Sequence, residues 1–176
     1  MPELTIRTAC INDYEDVIAF YYNLIDSMKD AEFHPLWEKD VYPTRQYIYD
    51  SIVNNELFVT IIDNKIEGAM VINHVCAEGY SKVPWKVPAE SSEIMIIHIL
   101  AVALQHQGRG IAQKMVQHAV GYCRENGIKA IRLDVLTTNK PAEKLYTKMG
   151  FVFVDKIQLF YEDTGIMDFL LYELIL

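Results

Sequence analysis

Residues 91–120 set an apolar run, two glycines and an amphipathic repeat end to end, and few folds accommodate that order. Ile94, Ile96, Ile97, Ile99, Leu100 and Val102 are strand-type residues in a nearly unbroken apolar stretch, which predicts a strand buried on both faces. Gly108 and Gly110 stand where that strand has ended and a helix begins. Ile111, Met115, Ala119 and Tyr122 then recur at helical spacing. A strand-to-helix turn of this kind aims several backbone N–H groups at one point, with the positive end of the helix dipole behind them. It is predicted to be an anion site. Glycine adopts backbone shapes closed to other residues and lets a phosphate approach the chain.

The pattern narrows which anion this is. The Walker pattern G-x-x-x-x-G-K-[ST] is absent. The dinucleotide fingerprint is half met, since Gly108 and Gly110 fit but position 113 is Gln. The net charge of −8 argues against a nucleic-acid surface and suits a cationic or neutral small partner. Cys10, Cys76 and Cys123 are too few and too scattered for a disulfide framework, and none forms a C-x-x-C pair. Reduced thiols and a cytoplasmic location are expected, with no metal. The start Met1-Pro-Glu-Leu-Thr lacks the pattern of a signal peptide, and no apolar run reaches membrane-spanning length. The chain is expected to form a single domain over residues 1–176.

The remaining elements follow from periodicity. Leu4-Thr-Ile-Arg-Thr alternates like a strand, and Asn12 or Asp13 can cap the helix marked by Tyr14, Val17, Ile18, Tyr21, Leu24, Ile25 and Met28. Thr44 can cap a second helix carrying Tyr47, Ile48, Ile52 and Val53. A hairpin turns at Asp63-Asn64. After the central strand and helix come a strand near 129–136, a short helix opened by Asn139-Lys-Pro141, one long or bulged strand over 151–161, a turn at 162–165 and a last strand. The expected order is β-α-α-β-β-β-α-β-α-β-β, an α/β (α+β) chain with a mixed sheet flanked by helices. The last strand either completes the sheet or pairs between two subunits in a homodimer.

Gln105-His-Gln-Gly108-Arg-Gly110 fits Q/R-x-x-G-x-G/A, and this resembles the acyl-CoA pyrophosphate loop of the GNAT superfamily of N-acetyltransferases. Leu100-Ala-Val102 fits the L-x-V that precedes it. The later run Leu133-Asp-Val-Leu-Thr-Thr-Asn139-Lys-Pro-Ala142-Glu-Lys-Leu-Tyr146-Thr-Lys-Met-Gly150-Phe151 carries the asparagine, alanine, tyrosine and Gly-Phe of the same family in the same order. Trp37 with Tyr42-Pro43 also resembles a bacterial subgroup of it. The resemblance covers residues 93–153. It implies a mostly antiparallel sheet whose two central strands part into a V that holds the pantetheine arm of acetyl-CoA. It implies that Leu100, Ala101 and Val102 pair with pantetheine amides. Gln107, Gly108, Arg109, Gly110, Ile111 and Ala112 would hold the pyrophosphate, with Arg109 adding a charge-assisted contact. Asn139 and Ala142 would lie beside the arm, Asn139 either bonding it or serving only as a helix cap.

Acetyl transfer to an amine requires a proton acceptor for the amine, a donor for the carbonyl oxygen and an acid for the departing thiolate. Tyr146 matches the family tyrosine and is the expected acid. Glu93 at the start of the central strand and His98 within it are the candidate bases; water-mediated deprotonation needs neither. Glu93 also reads as a solvated strand end and His98 as a hydrogen-bonded core residue. Five positions apart on an unbroken strand, they face opposite sides unless a bulge intervenes. The acceptor, a small-molecule or protein amine, is expected among Glu32, His34, Trp37, Glu38, Tyr42, Tyr80, Trp85 and Asp163. The rival reading is a non-catalytic acyl-CoA-binding or interaction module of the same fold. A nicotinamide dehydrogenase is disfavoured by Gln113 and the single crossover.

Overall fold

The computed structural model describes residues 4–33 and 35–176. His34 lies outside them, as do Met1, Pro2 and Glu3 of the N-terminal stretch. The elements are β1 (Leu4–Thr8), α1 (Tyr14–Ser27), α2 (Arg45–Val53), β2 (Leu57–Ile62), β3 (Lys65–Asn73), β4 (Ile94–Val102), α3 (Ile111–Glu125), β5 (Ala130–Leu136), α4 (Lys140–Lys148), β6 (Val152–Tyr161) and β7 (Gly165–Ile175). Apart from short 3-10 turns, this is the order the sequence predicts.

The strands form one seven-stranded sheet in the order β1-β2-β3-β4-β5-β7-β6. Every neighbouring pair is antiparallel except β4 with β5, which are joined through α3. Asp63 and Asn64 turn the β2–β3 hairpin with φ of 49° and 62°, the double left-handed geometry that matches strand twist. β6 is bulged between Phe153 and Asp155. The last strand, β7, lies between β5 and β6, so it completes the sheet and β6 takes the edge. Thr44 caps α2 by accepting the Tyr47 N–H at 3.0 Å. Asp13 stands at the N-cap position of α1 but makes no side-chain cap bond; its carboxylate takes Arg7 at 2.7 Å and the Cys10 N–H at 2.8 Å.

Helices cover both faces. α3 and α4 pack Met115, Val116, Ala119 and Tyr146 against Met70, Met95, Ile97 and Leu133 on one side. α1 and α2 pack Val17, Tyr21, Leu24, Ile48 and Ile52 against Leu57, Val59, Val71 and Ile99 on the other. Each such aliphatic side chain removed from water contributes roughly 1.5–3 kcal/mol. A third apolar group, with Tyr80, Val83, Ile94, Ile96, Leu136 and Leu171, holds the loop 77–91 on the sheet.

β4 contributes to all three groups because it changes side along its length. Its register with β3 runs Val71↔His98 and then Ala69↔Ala101, so two residues of β4 stand against one of β3. The extra residue is a bulge at Ile99, whose φ is +44°, rare for a β-branched residue. Before it, Met95 and Ile97 face α3; after it, Ile99 and Ala101 face α1 and Val102 faces α3. Tyr21 of α1 donates its hydroxyl to the Ile99 carbonyl at 2.8 Å, holding the bulge from below.

Candidate functional site

The two central strands part. β4 and β5 pair over only three positions, Ile94↔Ala130, Met95↔Ile131 and Ile96↔Arg132. β5 stays on β7 as far as Leu136↔Phe169, while β4 stays on β3 as far as Val102. The gap opens into a cavity of about 130 Å³. Ile97, His98, Ile99 and Leu100 line one wall and Asp134, Val135 and Leu136 the other. Asn139, Ala142 and Tyr146 of α4 close one end; Trp37, Tyr42, Tyr161 and Asp163 close another.

Five residues expected at the site therefore meet in this cavity: His98, Leu100, Asn139, Ala142 and Tyr146. Three of the expected acceptor residues, Trp37, Tyr42 and Asp163, line it as well. Ala101 and Val102 lie beyond it, buried and in register with Ala69 and Gly68. Glu32, Glu38, Tyr80 and Trp85 are not among the lining residues. Glu93 lies in the turn before β4, ion-paired with Lys129 at 2.6 Å and accepting the Glu90 N–H at 2.9 Å. The Lys129 bond holds its carboxyl below the ordinary range. The bulge falls after His98, so it does not bring Glu93 round to the cavity.

Beyond β4 the chain turns through Gly108 and Gly110, with φ of +74° and +78°. Both are left-handed, and a Cβ at either would meet nothing within 4 Å, so glycine serves backbone shape rather than packing. Gly110 immediately precedes α3. The Gln107 N–H is bonded to the Leu104 carbonyl at 3.2 Å, and the Gln107 side chain to the Val102 carbonyl at 3.0 Å. From 108 to 113, no backbone N–H has a turn, cap or side-chain acceptor among the described residues. These are unpaired donors at the positive end of a 15-residue helix. Arg109 beside them is exposed.

Asn139 caps α4, its Oδ1 accepting the Ala142 N–H at 3.0 Å, and it lines the cavity too. Tyr146 is 7% exposed and packs edge-on against Phe151 at 5.3 Å. Burial, and then the charge of Asp134, pushes its phenol above the ordinary value, so it remains a protonated donor. His98 Nε2 lies 2.9 Å from Asn73 Oδ1, which also accepts the Val75 N–H. Nε2 is the donor of that bond, because an amide oxygen only accepts. Burial pushes His98 down to about 4.

Sequence reasoning passed over Asp134. It lies on the cavity wall with Tyr80 and Tyr161 donating to its Oδ2 at 2.6 and 2.9 Å. Burial raises its carboxyl, against the pull of the two phenols. The signal was present: a lone Asp in Leu133-Asp-Val-Leu136, inside an apolar strand, needs partners. Nearby, Glu173 is 1% exposed; its Oε1 takes Arg132 Nε at 2.9 Å and its Oε2 the N–H groups of Lys86 and Val87 at 2.9 and 3.3 Å. Arg132 also reaches the Val87 carbonyl at 2.7 Å and stacks 4.4 Å from the Trp85 ring. This cluster fixes the loop that carries Tyr80.

The family model for the acetyltransferase (GNAT) family matches residues 18–151. A curated streptothricin acetyltransferase of Streptomyces lavendulae is 34% identical over 71 residues, 40% of this chain and 38% of that protein. The matched stretch thus spans well under two thirds of that relative's length. A GNAT-family acetyltransferase structure from Streptococcus agalactiae superposes with a TM-score of 0.79 at 22% identity, covering 98% of this chain and 95% of that one. A Salmonella typhimurium protein described as a putative acetyltransferase with its cofactor acetyl-CoA superposes with a TM-score of 0.72 at 15% identity, covering 98% and 94%. No helix among the described residues is long and apolar enough to cross a membrane.

Proposed function

The chain belongs to the acetyltransferase (GNAT) family, and from that membership and the cleft we propose that it transfers the acetyl group of acetyl-CoA to a primary amine of a small molecule or protein. The observation that carries this reading is the parting of β4 and β5 beside Tyr146, with unpaired N–H groups beyond the end of β4. Those residues fit the cosubstrate. Donors from 108 to 113 suit a diphosphate, and the two left-handed glycines leave the approach open. Arg109 adds a cation there. The β4 edge from Ile97 to Leu100, unpaired with β5, offers backbone groups to the amides of the arm, with Asn139 and Ala142 on its far side.

Bound acetyl-CoA supplies an activated thioester. The amine attacks its carbonyl carbon in a ternary complex; a C–N bond forms and the C–S bond breaks. A backbone N–H freed from the ladder near the Ile99 bulge supports the negative charge on the carbonyl oxygen. Tyr146 gives its proton to the departing sulfur. Among the expected bases, His98 has the position and Glu93 does not, held as it is by Lys129. A cytoplasmic setting, where acetyl-CoA is made and used, suits three free cysteines.

Two measurements test the proposal. Acetyl-CoA at millimolar concentration is expected to raise the melting temperature, and an amine panel with a thiol-release assay is expected to find turnover. Absence of both would overturn it. A shift without turnover of any amine would instead favour a non-catalytic acyl-CoA-binding module.

A further inference from the structure

We propose that Asp134 is the general base of the reaction, and that Tyr80 and Tyr161 are the residues that position it. The inference rests on the acetyltransferase reading and goes beyond it by naming the proton acceptor. Had the β4–β5 ladder run two steps past Ile96↔Arg132, His98 would have paired with Asp134. The ladder stops, and the two side chains stand on the same face across the opening, both lining the cavity with Tyr146. Asp134 and Tyr146 are close enough for the carboxylate to raise the phenol. The cavity thus holds a proton acceptor and a proton donor within electrostatic reach of each other, as acyl transfer to an amine requires.

The geometry of the carboxylate favours this role. Both phenols bond Oδ2, so Oδ1 keeps its lone pairs for a donor arriving from the cavity. The cation nearest in sequence on the same face, Arg132, is committed to Glu173 and the Val87 carbonyl. Asp134 therefore has no cation to neutralise it among the described residues, and an incoming ammonium is the natural complement. The groups that face it are Tyr80 from the loop, Tyr161 from β6, Tyr42, Tyr146 from α4, His98 from β4 and Asp163 from the turn after β6. Burial raises the Asp134 carboxyl and drives the His98 ring the other way, so the carboxylate gains proton affinity where the imidazole loses it.

The acceptor enters as an ammonium and gives one proton to Asp134 Oδ1, which passes it to solvent. The free amine forms the C–N bond, and the C–S bond breaks as Tyr146 protonates the sulfur. The second amine proton returns to the Tyr146 phenolate. One proton is released per acetyl group transferred.

The test compares Asp134→Asn, Tyr161→Phe and Tyr80→Phe with the wild type on whichever amine the panel finds. Asp134→Asn is expected to lower kcat about a hundredfold or more at neutral pH, with the acetyl-CoA thermal shift retained. The two phenols lower the Asp134 pKa, so removing either is expected to move the acid limb of kcat/KM to higher pH, a change that a merely structural role would not produce. Tyr161→Phe keeps the inference open to refutation even where Asp134→Asn does not fold. Wild-type-like turnover in Asp134→Asn, or an unmoved limb in both phenylalanine variants, would overturn the base role alone. Absence of turnover in the wild type itself would overturn the acetyltransferase reading and the base role together.

Discussion

Arg132 Nε donates to Glu173 Oε1 at 2.9 Å between directly opposed positions of β5 and β7, and the carboxylate is fully enclosed. Two N–H groups of the loop 77–91 complete its bonding. Glu173→Ala leaves the buried guanidinium without its counter-charge, with only the Val87 carbonyl and the Trp85 ring beside it, and both N–H groups without an acceptor. It is expected to cost about 3–5 kcal/mol in urea unfolding. Replacing both charges with apolar residues of similar volume is expected to recover much of that loss. A change below about 1 kcal/mol for the single variant would show the cluster to be incidental.

Tyr146→Phe removes a hydroxyl and keeps the ring on Phe151. Single-turnover acetyl transfer is expected to slow roughly ten- to a thousandfold, with acetyl-CoA binding nearly unchanged. Equal rates in both proteins would remove Tyr146 from the acid role.

His98 links stability to pH. Its ring titrates near 6.5 when unfolded and is pushed down to about 4 in the fold. As pH falls from about 6.5 towards 4, the unfolded chain takes up a proton that the folded one refuses. Stability from this group is complete above that window and declines through it, by something of order 3 kcal/mol. Asp134, raised in the same cavity, has the opposite sign: its contribution is lost as pH rises through its folded pKa. Comparing wild type with His98→Gln in urea at pH 7.5 and 4.5 isolates the histidine. The variant should lose less stability on acidification, and parallel losses would refute the linkage.

Gly110→Ala tests the turn ahead of α3. A Cβ there meets no neighbour, so the cost is backbone strain at φ +78°, about 1–2 kcal/mol. Straining the turn also disturbs the donors from 108 to 113, so the acetyl-CoA thermal shift is expected to shrink. A variant with an undiminished shift would place the diphosphate elsewhere.

Tyr21→Phe withdraws the bond to the Ile99 carbonyl. A buried carbonyl without its donor is expected to cost about 1–3 kcal/mol. Because that bond holds the bulge, hydrogen exchange along β4 should quicken near 99–101 while α3 is unaffected.

Much of this was legible in the chain because it is local. The Asp63-Asn64 turn, the Thr44 cap and the apolar spacing of α3 are each decided within a few residues. Gly108, Gly110, Asn139 and Tyr146 were readable because they stand in a motif at fixed spacing. The bulge at Ile99 was not: the apolar run looks the same with or without a change of side, and only Tyr21 of α1 and the β3 register reveal it. Glu93 was plausible on its strand and is tied up by Lys129, a residue 36 positions on, across the parallel ladder. Asp134 was overlooked for the same reason, since Tyr80 and Tyr161 reach it over 54 and 27 residues.

The early end of the β4–β5 ladder has a consequence for solubility. A strand edge exposed at the rim of a sheet invites another polypeptide to dock; here the unzipped edge lies at the middle, walled in by α4 and by Trp37, Tyr42 and Tyr161. A strand from a neighbouring molecule would have to displace the cavity's lining side chains to pair there. The unpaired main-chain groups of β4 are therefore shielded from edge-to-edge pairing by the elements around them.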